Sequence, residues 1–272
     1  MNKVFRILGV LAHPDDESLG FGGTFAKYAS EGIETYLVTA TRGERGRTGP
    51  QGQRGDPAET GRIREAELLE AAAVLGIREV SVLNFPDGAV DGVLPGTAIA
   101  AIVQHIRRIR PDVVVTFGPE GAYGHPDHIA ISQFTTAAVI SAADCAYSLD
   151  DRLHSLAPHR TAKLHYLAWR KNKWDAYQAA FNRLTSRVDG VERQAHPWPD
   201  WAVTTEIDTT AFWSIVWKAV CCHRTQMSIY AHLEQLSEEQ QMALWGSQEF
   251  YRVYSAVNGG RRKETDLFEG LR

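Results

Sequence analysis

The sequence predicts an α/β fold, a Rossmann-like, doubly wound and mostly parallel sheet with helices on both faces. Three observations point to it. Short β-branched segments alternate with stretches of helical periodicity over the first 140 of 272 residues, which is typical of parallel strands joined by right-handed crossovers. The segment VVVTF is almost wholly apolar, as expected of a strand buried on both sides. Polar residues follow the carboxyl end of each predicted strand, where ligands of such folds bind.

The elements of the first half follow from this alternation of β-branched and helical segments. Four strands are predicted, at Val4–Ala12, Ile33–Ala40, Val80–Phe85 and Asp112–Phe117. Helices are expected at Leu19–Ser30, Glu59–Leu75 and Gly96–Ile109, with a further one beginning at His128.

The second half carries weaker patterns. They predict strands at Ala162–Trp169 and Val203–Ile207 and helices at Phe212–Val220 and Ser237–Leu244. No linker is visible, so we expect one domain over residues 1–272. In it, residues 1–142 form a Rossmann-like core with the site, and residues 143–272 complete the domain and supply a substrate wall.

The composition excludes several classes of function. Lys and Arg number 29 against 33 Asp and Glu, a formal net charge of −4, so no basic excess attracts nucleic acid. No stretch approaches the ~20 apolar residues of a membrane span. The apolar start of the chain runs into charges rather than a signal-peptide cleavage site, which favours a strand. Three cysteines, two of them adjacent, form no disulfide framework, and a reducing, cytoplasmic setting is expected.

Polar clusters follow all four strands of the first half. They read HPDDE after the first strand, TRGE after the second, NFPDG after the third and GHPDH after the fourth. Because the carboxyl ends of parallel strands meet at one edge of a sheet, the two His-Pro-Asp clusters are expected to lie together. One such cluster alone is more typical of a plain turn, but two at strand ends favour a site.

The residue types at this edge predict a metal site. Imidazole nitrogens with a carboxylate suit zinc, and a catalytic zinc keeps three protein ligands and one open position. His13 and Asp16 flank one turn, and His128 can complete the set, while Asp15 is placed to take a proton from water. We expect one zinc ion per chain, although Fe²⁺ or Co²⁺ could use the same ligands.

Two neighbouring segments admit a plain structural interpretation as well as a functional one. Residues 42–57 (RGERGRTGPQGQRGDP) are rich in Gly and Arg and predict a long mobile loop at the ligand-facing edge. Its arginines, Arg42 among them, are as compatible with a solvated loop as with substrate contact. Asp87 lies in a Pro-Asp-Gly sequence that is also a turn signal.

These segments together resemble the LmbE-like, or PIG-L, family of zinc-dependent N-deacetylases, which includes the deacetylases of mycothiol and bacillithiol biosynthesis. The resemblance is carried by AHPDDESLGFGG, TRGE, RIREAELLEAAAVLG, NFPDG and GHPDH, and is clearest over residues 3–140. A late segment, KAVCCHRTQ, is similar to the family's His-x-Ser-Gln element, with Thr225 in place of the usual serine.

The resemblance implies a role for each matching residue. His13, Asp16 and His128 would bind zinc, and Asp15 would be the general base. A cationic His125 would stabilise the oxyanion, with its ring held by Asp127 and with help from Tyr123. Contacts to the sugar hydroxyls would come from Asp87 and from Arg64 or Arg62, and Arg42 is a further candidate for substrate contact.

The leading hypothesis is a zinc-dependent hydrolase that removes the acetyl group from an N-acetylated amino sugar of the GlcNAc-glycoside type. An amidase acting on a larger N-acyl glycoside or thiol conjugate is the alternative. A non-enzymatic nucleotide- or sugar-binding module is disfavoured, because the first strand lacks a Gly-x-Gly-x-x-Gly turn. The expected partner is a small-molecule glycoside, with no nucleic acid and no membrane insertion. Relatives commonly self-associate, so a homo-oligomer is compatible with the resemblance.

Overall fold

One mixed sheet of seven strands forms the centre of the protein. The computed structural model describes residues 3–47, 53–147, 156–182, 184–188, 190–260 and 262–272. The parallel strands are β1 (Arg6–Leu11), β2 (Glu34–Thr39), β3 (Glu79–Val82), β4 (Val113–Thr116) and β5 (Lys163–Leu167). The antiparallel strands are β8 (Thr205–Asp208) and β9 (Ser247–Ser255). The order across the sheet is β3-β2-β1-β4-β5-β9-β8, and a separate hairpin pairs β6 (Ser186–Val188) with β7 (Val191–Arg193).

The helices connect and cover this sheet. They are α1 (Asp16–Leu19), α2 (Gly22–Ser30), α3 (Pro57–Leu75), α4 (Pro95–Ile109), α5 (Gly121–Gly124), α6 (Pro126–Ala143), α7 (Lys171–Ala180), α8 (Trp213–Cys222), α9 (Met227–Tyr230) and α10 (Glu238–Trp245). Helix α4 packs on α6, and α3 packs on α8. The chain order reverses at β1, since β2 and β3 lie to one side of it and β4 and β5 to the other. Right-handed crossovers therefore put helices on both faces, and the predicted fold class is confirmed.

Local sequence signals set the ends of the two helices nearest the site. Asp56 caps α3 by accepting the backbone N–H of Glu59, Pro57 occupies the first turn, and Gly76 ends the helix at a φ of +73°. Helix α6 begins at Pro126, and the His125 ring caps it by accepting the N–H of Asp127. This early start puts Asp127 and His128 in the first turn of α6, directly beyond β4.

The structure contains elements that the sequence patterns did not predict. The longest strand, β9, lies between β5 and β8, and helix α7 and the β6–β7 hairpin were likewise not predicted. The sequence does not predict β9 because Gln248 and Glu249 are buried in it beside Phe250, and these polar residues interrupt the apolar alternation that is typical of a strand. Thr24 donates a hydrogen bond to Gln248, and Arg170 forms an ion pair with Glu249.

Three further findings bear on the predictions. All three cysteines are free. Within the ranges given above, no helix combines the length and apolarity needed to cross a membrane. The loop predicted at residues 42–57 includes residues 48–52, which lie outside the described residues, while Arg47 and Arg54 on its two sides form an antiparallel bridge.

Candidate active site and metal centre

A cavity of about 600 Å³ opens at the carboxyl edge of the parallel strands. His13 follows β1, Asp87 follows β3, and His125 and His128 begin α6 after β4. All four line the cavity, together with Asp15. The polar clusters that follow separate strands in the sequence therefore come together in space.

The three residues expected to bind metal face one another. His13 Nδ1 lies 3.2 Å from His128 Nε2, and Asp16 Oδ1 lies 3.3 Å from the same His128 nitrogen. Asp16 Oδ2 is 3.7 Å from His13 Nδ1 and accepts the backbone N–H groups of His13 and Ala12. A small divalent ion with four ligands at about 2.0–2.2 Å keeps its ligand atoms about 3.3–3.6 Å apart. These residues therefore fit such an ion.

The far side of the His13 ring is held by two carboxylates. Asp127 Oδ2 lies 3.0 Å from His13 Nε2, and Asp87 Oδ1 lies 3.3 Å from it. Since an ionised carboxylate only accepts, this bond places a proton on Nε2 and leaves Nδ1 as the nitrogen that faces His128. A carboxylate behind a ligating histidine is the usual support of a protein metal site.

The charges around the cluster favour a cation. Burial lowers the pKa of His13, but the bonds to Asp127 and Asp87 outweigh it and raise that pKa well above its usual value. Burial lowers the pKa of His128 well below its usual value, with the charge on His13 adding to the effect. Burial raises the pKa of Asp16 to about 7. His128 thus offers a neutral nitrogen, and the field at His13 attracts positive charge.

Asp15 is held in a strained conformation by three neighbours. Its φ of 120° lies in the left-handed region that side chains disfavour. The Glu17 carboxylate accepts its backbone N–H at 2.9 Å. Arg64 Nη2 and the hydroxyl of Tyr230 both donate to Asp15 Oδ2, at 2.8 and 2.7 Å. No hydrogen bond reaches Oδ1 from the described part of the chain.

His125 lies beside the cluster, but two expectations about it need correction. A ring nitrogen of His125 lies within 4.8 Å of nitrogens of His13 and His128. The Asp127 carboxylate does not hold this ring, because it accepts from His13 and from the N–H groups of Gly88 and Val90. Burial and the charge on His13 lower the pKa of His125 to about 4, so the ring is neutral rather than cationic at neutral pH.

The neutral His125 ring is still a hydrogen-bond donor. Its Nδ1 accepts the backbone N–H of Asp127 at 3.2 Å, which places the ring proton on Nε2. Tyr123 also lines the cavity, on a turn where Ala122 has a φ of +62°, and burial raises the pKa of its hydroxyl well above the usual value. Both side chains can thus donate a hydrogen bond.

The arginines expected to contact substrate have different positions. Arg64 is 4% exposed and its guanidinium donates to Asp15 and to the carbonyls of Pro14 and Gly43, so it supports the protein itself. Arg62 is exposed and paired with Glu59. Arg42 pairs with Glu65 and lines a separate surface depression, so the structure does not bring it to the cavity. The Glu65 carboxylate on α3 accepts a hydrogen bond from Arg42 Nε at 2.6 Å, and this pairing holds the side chain at that depression.

The C-terminal half contributes His223, Thr225 and Tyr230, and of these the sequence patterns did not mark Tyr230. His223 lies 2.7 Å from Glu17, and Thr225 donates its backbone N–H and its hydroxyl to Glu67. Tyr230 reaches Asp15 from the same segment. The family-like spacing of His223, Thr225 and Gln226 marked this segment, but nothing in the sequence indicated which residues it would meet.

An apolar wall continues from Tyr230 along the cavity. The Tyr230 and Phe181 rings are 6.0 Å apart, Phe181 and Tyr177 stack at 6.0 Å, and Tyr177 stacks on Trp169 at 4.1 Å. All four rings line the cavity. An aromatic surface therefore begins at Tyr230, which is hydrogen-bonded to Asp15, and extends away from Asp15 along the cavity.

Comparison with known proteins places these features in context. Residues 8–139 match the family PIG-L, described as GlcNAc-PI de-N-acetylase. The 1D-myo-inositol 2-acetamido-2-deoxy-alpha-D-glucopyranoside deacetylase of Streptomyces griseus is 34% identical, over 98% of this chain and 89% of its own. The corresponding Kineococcus radiotolerans enzyme is 33% identical over 98% and 83%. The N,N'-diacetylchitobiose deacetylase from Pyrococcus horikoshii has a similar fold, with a TM-score of 0.68, 21% identity and coverage of 91% and 83%.

Proposed function

The chain belongs to the PIG-L family of de-N-acetylases, and from that premise we propose that it is a zinc-dependent hydrolase that removes the N-acetyl group of a GlcNAc-type glycoside. One observation carries the proposal beyond family membership. Nε2 of His128 lies 3.2 Å from Nδ1 of His13 and 3.3 Å from Oδ1 of Asp16, in a cavity that Asp15 also lines. Residues of the C-terminal half, Tyr177 and Tyr230 among them, line the same cavity, which supports one domain over residues 1–272.

The donor set supports zinc as the metal. Two imidazole nitrogens and one carboxylate suit a borderline divalent ion, and three protein ligands leave a position for water or substrate. Asp127 and Asp87 would support the His13 ligand from behind. A bound zinc ion would supply Lewis acidity, which lowers the pKa of water and polarises the amide carbonyl. One ion per chain accounts for the cluster.

The remaining residues have roles that follow from their bonds. Because Oδ2 of Asp15 already accepts from Arg64 and Tyr230, Oδ1 is the atom free to take a proton from the attacking water. The same oxygen can return that proton to the departing amine, so one water and one amide yield acetate and a free amine. Nε2–H of His125 and the hydroxyl of Tyr123 donate to the oxyanion of the tetrahedral intermediate.

A larger amide is the second candidate, and the cavity wall favours it. The aromatic surface of Trp169, Tyr177 and Phe181 offers contact area beyond what an acetyl group and one sugar fill. Arg45 and Arg54 also line the cavity, and neither forms an ion pair within the described ranges. A substrate with an apolar group and a polar or anionic group would use both features.

A panel of substrates tests the function and separates the two candidates. N-acetylglucosamine glycosides and glycosides with bulkier N-acyl groups are assayed for free amine, with and without a chelator. We expect chelator-sensitive release of acetate from a GlcNAc-type glycoside. In Asp15→Asn, turnover should fall about 100- to 10,000-fold, to a residual rate that can still be measured, while the bound zinc remains. A strong preference for bulky amides, reduced by Phe181→Ala, would favour the second candidate instead. Turnover that is unaffected by metal removal would contradict both.

A further inference from the structure

A tyrosine of the C-terminal half donates a hydrogen bond to the carboxylate of Asp15, the proposed general base. Tyr230 ends α9, 215 residues after Asp15, and its hydroxyl donates to Asp15 Oδ2 at 2.7 Å. Its side chain is 8% exposed, and the aromatic ring of Phe181 packs against its own. Sequence spacing did not single this residue out.

We propose that Tyr230 is a positioning residue for the general base: with Arg64 it holds Oδ2 of Asp15, so that Oδ1 faces the reacting water. This inference rests on the proposed function, because it takes Asp15 as the base. Tyr230 acts through Asp15 and need not touch the substrate.

The argument begins with the freedom of an aspartate carboxylate. Rotation about the bond to the carboxyl group is soft and nearly two-fold, so an unrestrained Asp15 would exchange its two oxygens. Arg64 alone is a weak restraint on this rotation, because the same Nη2 group also donates to the carbonyl of Pro14. A second donor from a different direction fixes which oxygen points inward.

The hydroxyl of Tyr230 is suited to act as a constant donor. Burial and the nearby charge of Asp15 raise its pKa well above the usual value. It therefore keeps its proton and remains a hydrogen-bond donor over the working pH range.

The same C-terminal segment also secures the backbone of Asp15. His223 lies 2.7 Å from the Glu17 carboxylate, and that carboxylate accepts the N–H of Asp15. Residues 223–230 thus reach Asp15 at two points, the strained backbone through Glu17 and the carboxylate through Tyr230. The C-terminal half is accordingly more than a substrate wall, since it positions the base.

Tyr230→Phe tests this role, because it removes only the hydroxyl. We expect kcat to fall about 10- to 100-fold, as for a modest misplacement of a catalytic group, with KM within about twofold and zinc content unchanged. Tyr28→Phe is the matched control. Tyr28 is also buried and donates to an aspartate, Asp266 at 2.9 Å, away from the cavity. Its loss should lower stability and leave kcat unchanged.

A double-mutant cycle with Asp15→Asn separates positioning from other effects. If Tyr230 acts through the base, its removal should cost nothing further in the Asp15→Asn background. A kcat for Tyr230→Phe within twofold of wild type, a change confined to KM, or a full additional loss in the Asp15→Asn background would each overturn the inference. A wild-type protein that hydrolyses no amide would overturn the proposed function and this role with it, whereas an active protein that does not need the hydroxyl overturns this role alone.

Discussion

His13 Nδ1 and His128 Nε2 lie 3.2 Å apart, although 115 residues separate them in the chain. The cause is the sheet order, because β1 and β4 are parallel neighbours that pair Ile7 with Val113. The loops that follow these strands leave at the same edge. Each loop contains a His-Pro-Asp sequence, and proline restricts the backbone of both loops.

Removing either histidine of the cluster should empty the metal site. We expect about one zinc per wild-type chain and little in His13→Ala or His128→Ala, because two protein ligands hold a catalytic zinc poorly. Elemental analysis after gel filtration measures this. His105→Ala is the control, because His105 contacts Arg108 away from the cavity and should leave zinc content unchanged. Full zinc content in both ligand variants would contradict the assigned site.

Asp127→Asn should lower the affinity of the site for the metal without removing a metal ligand. The amide oxygen can still accept from His13 Nε2, but it has no full negative charge, so it increases the electron density at Nδ1 less than the carboxylate does. We expect metal affinity to fall about 10- to 100-fold, measured by competition with a chelator of known affinity. An unchanged dissociation constant would show that the bond between Asp127 and His13 is not needed for metal binding.

His125→Ala should lower turnover and leave the metal in place. Loss of one donor to the oxyanion costs about 100- to 1000-fold in kcat, and the ring is not needed for the three-ligand cluster. His125→Gln can donate from a similar position and should recover part of the rate. Loss of zinc in His125→Ala would instead make this histidine a ligand.

The Glu17–His223 pair should give the fold a stability that depends on pH. Burial lowers the pKa of His223 but Glu17 outweighs it, so the pKa is above its usual 6.5; this contribution is complete below pH 6.5 and is lost as pH rises through the folded value. Burial raises the pKa of Glu17 but His223 outweighs it, so the pKa is below its usual 4.5; this contribution is complete above pH 4.5 and is lost on acidification through the folded value.

His223→Gln measures that contribution. Between pH 4.5 and 6.5, the free energy of unfolding of the wild-type protein should exceed that of the variant by up to about 3 kcal/mol, as for a broken buried ion pair. The gap should narrow toward pH 9. Urea unfolding at several pH values provides the comparison, and a gap that is constant with pH would mean that the pair is not ionised in the folded protein.

Much of the fold was accessible from patterns that short segments contain by themselves. All six predicted strands are present, as β1 to β5 and β8. They could be predicted because each is a short apolar or β-branched run between turn residues. Strand β9 was not predicted, since its buried Gln248 and Glu249 are satisfied by partners far along the chain. A buried polar residue looks like a loop residue until its partner is known.

The candidate site divides in the same way. Residue types and strand ends predict His13, Asp16, His128 and Asp15 as candidates, and the structure places all four at one cavity. They did not show that Asp127 accepts from His13 rather than from His125. Nor did they show that Arg64 donates to Asp15, or that Arg42 pairs with Glu65 outside the cavity. Each of these depends on which hydrogen-bond acceptor lies nearest after folding.

The parallel strands of the first half, the kind of reaction and the candidate metal ligands could thus be predicted from the chain itself, because periodicity and ligand chemistry are properties of short segments. Which carboxylate supports which imidazole, and that Tyr230 reaches back across 215 residues to Asp15, were decided only by the packed molecule. Hydrogen bonds act over about 3 Å, and no spacing along the sequence determines a distance of that size between segments so far apart.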